Sequence, residues 1–378
     1  MTISKRYPRR RRRGAVLVFT VLLMVVFIGV LALVVDIGYL ANARTELQRS
    51  ADAVALASCW DFVSGLAVRE EPEEAMAGAK AMAMAVAGAN KVCRSSSAVL
   101  AEDVVFGYVA DPYKSGTPVP SDPDLANAVT VRVRRDRLLN GRVPFFFARV
   151  FGMSGIDAGA ISTAYVVRNI RGFRVPTNGT NLDIVPIAVD EETWNQVMLG
   201  VGPDNWTFHD DGTIEAGGDG IAEMNMYPQG TGAPGNRGTI DIGSENNSTS
   251  VIARQVTDGV TPMDLAYHGG ELVLDEYGKL DLNGDTGISA GIKDELLSIK
   301  GEPRIIPIFS EVNGPGDNAI FTIVGWVGIR ILDVDLTGSG SNKRVIIQPG
   351  PLITPGVIPS DDTPQTSEFV YSTVTLTR

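Results

Sequence analysis

An uncharged run of 22 residues near the N-terminus constrains this chain more than any other feature. Residues 14–35 contain no charged side chain, and sixteen of them are Leu, Ile, Val or Phe. An α-helix of that length, at 1.5 Å per residue, spans about 33 Å, close to the ~30 Å hydrocarbon core of a bilayer. The run therefore predicts a transmembrane helix that contacts membrane lipid.

The charges beside this run predict the orientation of the helix. Residues 1–13 form a basic tip with seven positive and no negative charges, whereas the other 365 residues carry a net charge of −18. The positive-inside rule places such a tip in the cytoplasm and everything after Asp36 outside it. We therefore expect a single-pass protein of the inner (cytoplasmic) membrane with a periplasmic, extracytoplasmic body.

A cleaved signal peptide is the alternative to a retained anchor. Secretory signals have apolar regions of about 7–15 residues, followed directly by a small-x-small cleavage site. The sequence Ala41-Asn42-Ala43 fits such a site, but it lies six residues beyond Val35, and Asp36 stands between them. The length of the apolar run favours retention.

The helical pattern continues beyond the predicted membrane span. No proline occurs between Gly14 and Glu71, and we predict that residues 36–60 extend the anchor as one long helix. Small and apolar residues recur there at alternating steps of three and four, which indicates a narrow seam on one helix face. The seam packs either on the chain's own domain or on a helix of a partner protein. Its members are Leu40, Ala43, Leu47, Ser50, Val54 and Ala57.

Several features around this helix occur together. Gly14 precedes the apolar run, Val35–Gly38 ends it, and Leu47-Gln48 and Ala51–Ala53 follow. With these features, the 45 or so residues from Arg13 onwards resemble the N-terminal segment of TadG-like (TadE/TadG) proteins of the Flp, or tight-adherence, pilus-assembly system. The stretches "NAVTVRVRR", "VPFFFARVFGMSG" and "PGNRGTIDIG" also look similar to parts of such proteins.

The resemblance implies a single-pass inner-membrane protein with a large extracytoplasmic part. Some relatives carry a von Willebrand A domain, whose metal site needs Asp-x-Ser-x-Ser, and this sequence contains no such stretch. A prepilin-type signal is also disfavoured, because the position five residues after Gly14 is Phe19 rather than Glu.

The rest of the chain predicts an α+β fold that becomes mostly β towards the C-terminus. An alanine-rich helix is expected at Glu73–Ala89, and alternating valines predict a strand at Val129–Val133. Three strong strands are expected at Ile305–Phe309, Ile320–Leu336 and Lys343–Gln348. The predicted regions are an α+β domain at residues 61–171, a linker at 172–182, a mostly β domain at 183–348 and a loose Pro-rich tail with an edge strand at 349–378.

One segment raises the question of calcium. Asp281–Gly287, "DLNGDTG", places side-chain oxygens at positions 1, 3 and 5, the spacing with which calcium loops surround an ion. An EF-hand loop also needs Gly at position 6 and Glu at position 12, where this chain has Thr286 and Ile292. A tight Asn-Gly turn is therefore the favoured interpretation, and we predict no metal ligand and no cofactor.

A cluster of arginines stands out in the otherwise acidic body. It could meet acidic lipid head groups or an acidic partner, but alternation along a strand favours one solvated strand face. The cluster comprises Arg132, Arg134, Arg135, Arg137 and Arg142.

Composition excludes several functions. The acidic body argues against nucleic-acid binding, which needs a basic face. Two cysteines, Cys59 and Cys93, are too few for a disulfide scaffold, and whether they pair stays open. The sequence has only two histidines, His209 and His268, and this scarcity argues against most histidine-based catalysis. We expect no catalytic residues.

Three functions remain. The favoured one is a structural, non-enzymatic component of a TadG-like pilus-assembly or secretion system, which meets other assembly proteins through the helix after the membrane. The alternative is a membrane-tethered extracytoplasmic binding or adhesion protein, whose binding either depends on calcium or is independent of it. A hydrolase with an unrecognised site is the third.

Overall fold

The computed structural model describes residues 13–68, 70–110, 118–209, 211–227, 237–243, 248–314, 319–338, 343–360 and 365–377. The chain divides into two compact units. Unit 1 comprises Met1–Ala57, Lys80–Val105 and Thr130–Ser162, and unit 2 comprises Ser58–Ala79, Phe106–Val129 and Thr163–Arg378.

The order of elements confirms an α+β chain that begins with a long apolar helix and ends in a strand-rich region. The α-helices within the described residues are α1 (Arg13–Ala67), α2 (Pro72–Ala89), α3 (Glu191–Met198), α4 (Thr249–Asp258), α5 (Pro262–Ala266) and α6 (Lys293–Ser298). The first strands are β1 (Lys91–Val92), β2 (Ser95–Ser96), β3 (Val104–Gly107), β4 (Ala128–Arg135), β5 (Val143–Pro144), β6 (Gly155–Ile156), β7 (Ala158–Tyr165), β8 (Ile170–Arg174), β9 (Ile187–Asp190), β10 (Trp206–Phe208), β11 (Ile214–Ala216) and β12 (Met224–Asn225). The later ones are β13 (Arg237–Ile240), β14 (Glu271–Val273), β15 (Leu280–Asp285), β16 (Pro303–Asn313), β17 (Ala319–Asp335), β18 (Arg344–Pro349), β19 (Leu352–Thr354), β20 (Val357–Pro359), β21 (Ser367–Glu368), β22 (Val370–Ser372) and β23 (Thr375–Leu376).

Helix α1 is a single element of 55 residues, about 80 Å long. Every Leu, Ile, Val, Phe and Met from Val16 to Val35 is exposed in the isolated chain. Among the described residues, α1 alone is long and apolar enough to cross a membrane. The prediction that the anchor continues as one helix past Asp36 is confirmed, although α1 extends to Ala67 rather than ending near residue 60.

In unit 2 the last turns of α1 pack closely against the start of α2. Phe62 is fully buried with Ala75 and Ala79, and its ring lies 5.2 Å from the ring of Phe106. A side chain at Gly65 would bring its Cβ within 2.8 Å of the Ala75 Cβ. Because only a glycine permits this approach, the two helices can turn back on each other tightly.

Strand β4 shows the alternation that the sequence predicts. Val131 and Val133 are fully buried, while Arg132 between them is exposed. Among the described residues β4 belongs to a four-stranded sheet with the order β23-β7-β4-β3. In unit 2 the edge strand β23 pairs with the end of β7 through Thr375 and Tyr165, as expected for an edge strand in the C-terminal segment.

A ring of strands organises the rest of unit 2. Strand β17 pairs with β15, β15 with β13, β13 with β9, β9 with β16, and β16 again with β17. The ring therefore closes, with β9 and β16 parallel and the other pairs antiparallel. Within the described residues it is part of an eight-stranded sheet that β18, β12 and β21 extend from β17.

Hydrophobic side chains pack on both faces of this ring. One cluster contains Phe309 and Phe321, whose rings meet edge to face at 5.0 Å. The other cluster brings Trp194 of α3, Val256 of α4 and Leu296 of α6 against the opposite side chains of the strands. Burial on both faces explains why β16 and β17 are nearly continuous apolar runs in the sequence.

The C-terminal segment is more ordered than we predicted. Residues 349–366 were expected to form a loose tail, yet β19 pairs with β22 and β20 pairs with β8. The prolines did not prevent this, because β20 is an edge strand of its three-stranded sheet and such positions tolerate proline. The domain boundaries drawn from the sequence stay predictions.

Candidate functional site

The most unusual contact of unit 1 lies where α1 leaves its apolar run. The carboxylate of Asp36 accepts hydrogen bonds from the backbone N–H groups of Phe146 at 2.7 Å, Phe147 at 3.1 and 3.3 Å, and Ala148 at 2.7 Å. Only 3% of the Asp36 surface is exposed. We call this arrangement the exit clamp. It supplies hydrogen-bond donors to both oxygens of a carboxylate that is buried away from water.

Local structure explains why these three N–H groups are available. They precede or begin a short 3-10 turn at Ala148–Phe151, where the first amides have no carbonyl partner within the turn. Such a cluster of amides attracts an anion. The turn ends at Gly152, whose φ of +81° suits a glycine.

An aromatic contact reinforces the exit clamp. Tyr39 lies three residues after Asp36, so the two side chains share one face of α1. The ring of Tyr39 meets the ring of Phe146 edge to face, with centroids 5.0 Å apart. The clamp therefore fixes both the rotation of α1 and the position of the segment that follows Val143.

The predicted seam is buried by the chain itself. Leu47 and Val54 are fully covered, Ala43 is 1% exposed and Ser50 is 2% exposed. Leu40 and Ala57 at its two ends are half-buried. The own-domain alternative is therefore correct for the centre of the seam, and a partner helix cannot use that face without displacing the chain's own residues.

Polar bonds in unit 1 hold the helix beside the seam. Glu46 accepts the N–H of Cys93 at 2.6 Å, and Gln48 donates to Asp52 at 2.8 Å and to the Ile161 carbonyl at 3.4 Å. These contacts come from residues that flank Leu47, so they fix α1 in register with the body of unit 1.

Most of the predicted arginine cluster is engaged within the chain. Arg134 forms ion pairs with Glu102, Asp103 and Asp136, and Arg142 pairs with Asp157 at 2.7 Å. The three remaining members occupy two kinds of environment. Arg135 is buried and donates to the carbonyls of Val92, Asn140 and Gly141, whereas Arg132 and Arg137 are exposed. The cluster is thus not a single solvated strand face, as we had favoured, but mainly a structural network.

The calcium-like segment is neither a loop nor a tight turn. Asp281 to Asp285 belong to β15, which pairs with β17 and β13. On an extended strand Asp281 and Asp285 stand about 13 Å apart, so the three side chains at positions 281, 283 and 285 cannot all surround one ion. The Asp281 carboxylate instead accepts the Thr322 hydroxyl at 2.7 Å. Both interpretations drawn from the sequence were therefore wrong about the backbone.

The cysteines and histidines occupy separate environments. Cys59 is buried and Cys93 is half-buried, and both are free thiols. His209 lies 3.8 Å from Glu215 at the surface, whereas His268 is half-buried, and burial lowers its pKa. Within the described residues, no group of three or more Cys, His, Asp or Glu side chains is placed to hold a metal ion.

These features define a membrane protein whose N-terminal apolar helix continues into an α+β body. Comparison with protein families identifies the N-terminal part. Residues 14–61 match the Tad family, described as "Putative Flp pilus-assembly TadE/G-like", and residues 67–164 match the Tad_C family, described as "Putative Tad-like Flp pilus-assembly". Residues 14–164 therefore match a TadG-like protein of Flp pilus assembly, which confirms the resemblance seen in the sequence.

The two matched segments contain the exit clamp and the seam. Asp36 lies in the first and Phe147 in the second, so the clamp joins them within unit 1. Curated proteins and solved structures gave no significant match.

Proposed function

We propose that this chain is a structural, non-enzymatic component of the inner membrane in a Flp, or tight-adherence, pilus-assembly or secretion system. Residues 14–35 cross the membrane once, the basic tip stays in the cytoplasm, and the body lies on the periplasmic side. The observation that carries the proposal is the pair of family matches over residues 14–164, which begin at the apolar helix itself.

The charge distribution supports the proposed orientation. Seven positive charges precede Gly14, and positive charge on one side of a short anchor retains that side in the cytoplasm. Topology is measured with alkaline phosphatase, which is active only outside the cytoplasm, fused to the C-terminus. We expect activity, and a variant with Arg9–Arg13 changed to glutamate as the control should lose most of it.

The proposed partners are other proteins of the same assembly system, bound through the exposed faces of α1 beyond the membrane. Arg44 and Arg49 are exposed on this part of α1, whereas Leu47 between them is fully buried. A photocrosslinking residue at position 49 should capture a pilus-assembly component that mass spectrometry identifies. The same residue at position 47 is the matched control and should capture none. Crosslinks only within the chain at position 49 would contradict the partner proposal.

A second function, binding of a small polar ligand, is favoured by a cleft in unit 2. The cleft has a volume of about 490 Å³ and is lined by Asp190, Thr193, Gln196, Glu223 and Arg237, among others. Its size falls in the usual range for small-molecule sites. Glu223 and Arg237 are 1% and 7% exposed. One carboxylate oxygen of Glu223 and the Nε of Arg237 have no hydrogen-bond partner among the described residues.

An unsatisfied carboxylate oxygen and an unsatisfied guanidinium N–H favour a ligand with both a donor and an acceptor, such as a free amino acid. Binding raises the melting temperature of the folded state. We expect a mixture of free amino acids to raise the melting temperature of the full chain and the Glu223→Gln variant to reduce that rise. No rise in the parent protein would exclude free amino acids as ligands of this cleft and would leave the first function unaffected.

A further inference from the structure

A short segment of unit 1 exposes an unusual amount of apolar surface. Between Phe145 and Met153, which we call the exit loop, Val150 is 86% exposed and Phe151 is 80% exposed. Phe146, Phe147 and Met153 are each about half exposed. Contiguous apolar patches of this kind mark an interaction surface with another protein or with a membrane.

The exit clamp determines where this loop lies along α1. Asp36 directly follows the 22-residue apolar run, so it stands within about 1.5 Å, one helical residue, of the end of that run. The backbone amides of Phe146, Phe147 and Ala148 bind its carboxylate. The loop is therefore held at the height at which α1 leaves the hydrocarbon core.

The neighbouring surface of α1 is apolar up to the same height. Val34 and Val35 are 59% and 49% exposed, and Ile37, just beyond Asp36, is 57% exposed. The start of the loop, bound to Asp36 through Phe146, Phe147 and Ala148, therefore lies at the same level as the end of the lipid-facing surface of α1.

We propose that the exit loop is a second membrane contact, whose apolar side chains enter the interfacial layer of the bilayer that α1 spans. The occupant of this surface is the lipid beside the anchor, because the loop is held at the lipid boundary. Arg149, exposed in the middle of the loop, extends to the phosphate layer while the apolar side chains go deeper. This inference rests on the membrane anchor of the proposed function and adds a contact that the anchor does not require.

The contact has a mechanical consequence. A lone transmembrane helix leaves its body free to tilt and rotate about the point of exit. Apolar groups in the interface beside the helix, tied to Asp36, define a second point of support. The body of unit 1 then keeps a fixed height relative to the membrane surface.

Spin-label depth measurements test the inference on the full chain in vesicles of phosphatidylethanolamine and phosphatidylglycerol. A nitroxide is attached to Phe151→Cys in a background with Cys59→Ala and Cys93→Ser. Its collision rates with oxygen, which concentrates in the bilayer, and with a water-soluble nickel complex are compared. Leu23→Cys is the membrane control, and Met263→Cys, an 80% exposed side chain of unit 2, is the aqueous control.

We expect the label at position 151 to collide more often with oxygen than with nickel, as at position 23, and the label at position 263 to show the opposite preference. Adding Asp36→Ala, which removes both acceptor oxygens, should move position 151 towards the aqueous values and leave position 23 unchanged. If the label at position 151 lies in water while the label at position 23 lies in lipid, the inference is overturned and the anchor stays supported. Position 23 in water would overturn the anchor as well. Dipolar broadening between labels at 151 would show that a second copy occupies the surface, which also overturns it.

Discussion

Asp36 and Phe147 stand 111 positions apart in the chain, yet both carboxylate oxygens of Asp36 accept the Phe147 N–H, at 3.3 and 3.1 Å. These hydrogen bonds link the residue that directly follows the apolar run of α1 to the start of a 3-10 turn in the body of unit 1. A carboxylate in this place therefore has a structural role, and the helix can neither rotate nor slide relative to that segment without breaking it.

Replacing Asp36 with alanine should destabilise the body. The change leaves the amides of Phe146, Phe147 and Ala148 without their acceptor, and an unsatisfied buried donor costs about 1–3 kcal/mol. Asp36→Asn should cost less, because one acceptor oxygen remains. The measurement is thermal unfolding of the full chain in detergent micelles.

Asp52→Ala is the matched control for this prediction. Asp52 lies on the same helix and accepts a hydrogen bond from Gln48 within it. Its removal should shift the melting temperature by much less than Asp36→Ala does. Equal shifts would show that the exit clamp contributes no more than an ordinary surface carboxylate.

The local elements could be predicted from the sequence, and the clamp could not. Helices α1 and α2 follow from uninterrupted helix-forming residues, and β4 from alternating valines. The Asp36–Phe147 contact depends on residues far apart, which periodicity does not reveal. The one signal in the sequence was a carboxylate, Asp36, directly after an apolar run, and that signal does not identify its partner.

Local composition was misleading at Asp281–Gly287. The Asn-Gly pair suggested a turn, but Gly284 is required by the interior of the strand ring. A Cβ at that position would meet the backbone carbonyl oxygen of Thr239 and would lie 2.9 Å from the Phe321 ring. The close approach of the neighbouring strand β13 and of a distant ring, and not turn geometry, therefore explains this glycine, and only the three-dimensional structure shows it.

Calcium should have no effect on stability through this segment. Because Asp281, Asn283 and Asp285 lie along a strand, they do not surround an ion, and a ligand that does not bind the folded state does not stabilise it. We expect the same melting temperature in ~5 mM calcium, above the 10⁻⁴–10⁻³ M range of extracellular calcium modules, and in chelator. A calcium-dependent rise that Asp285→Ala abolishes would contradict this.

Gly284→Ala should destabilise unit 2 because the new methyl group meets both the backbone carbonyl oxygen of Thr239 and the Phe321 ring. Overpacking of this kind costs about 1–3 kcal/mol. Adding Phe321→Leu, which removes the ring but leaves the Thr239 carbonyl in place, should reduce the cost of Gly284→Ala without abolishing it. The measurement is a double-mutant cycle by urea unfolding. Additive effects would show that the two residues do not compete for space.

Asp264 should make unit 2 sensitive to acid. Burial raises the pKa of this carboxyl, but hydrogen bonds from Arg254 at 2.6 Å and from the Thr261 amide and hydroxyl at 2.8 Å outweigh burial and lower it overall. A lowered folded-state pKa gives stability that is complete above the unfolded pKa of about 3.9. That stability is lost as the pH falls through the folded-state pKa.

The measurement is the melting temperature between pH 7 and pH 3 for the parent and for Asp264→Asn. The variant should melt lower at pH 7 and show a shallower decline below pH 4, so that the two curves converge in acid. Asp275→Asn, at an exposed carboxylate that accepts backbone amides in a turn, is the control. Parallel curves for the parent and Asp264→Asn would contradict the assignment.

Leu47→Ala tests whether the seam belongs to the body or to a partner. Leu47 is fully buried in the isolated chain, and truncation of a buried leucine costs about 2–5 kcal/mol through lost apolar contact and the cavity that remains. The purified full chain should therefore melt at a clearly lower temperature, whereas Arg49→Ala, two residues away and exposed, should leave it nearly unchanged. If Leu47→Ala instead left the purified protein unaffected but weakened its association with other pilus-assembly proteins, the burial of the seam would be incidental and its face would serve a partner. Since the chain alone covers Ala43, Leu47 and Val54, the expected result is loss of intrinsic stability, with any loss of assembly following from it.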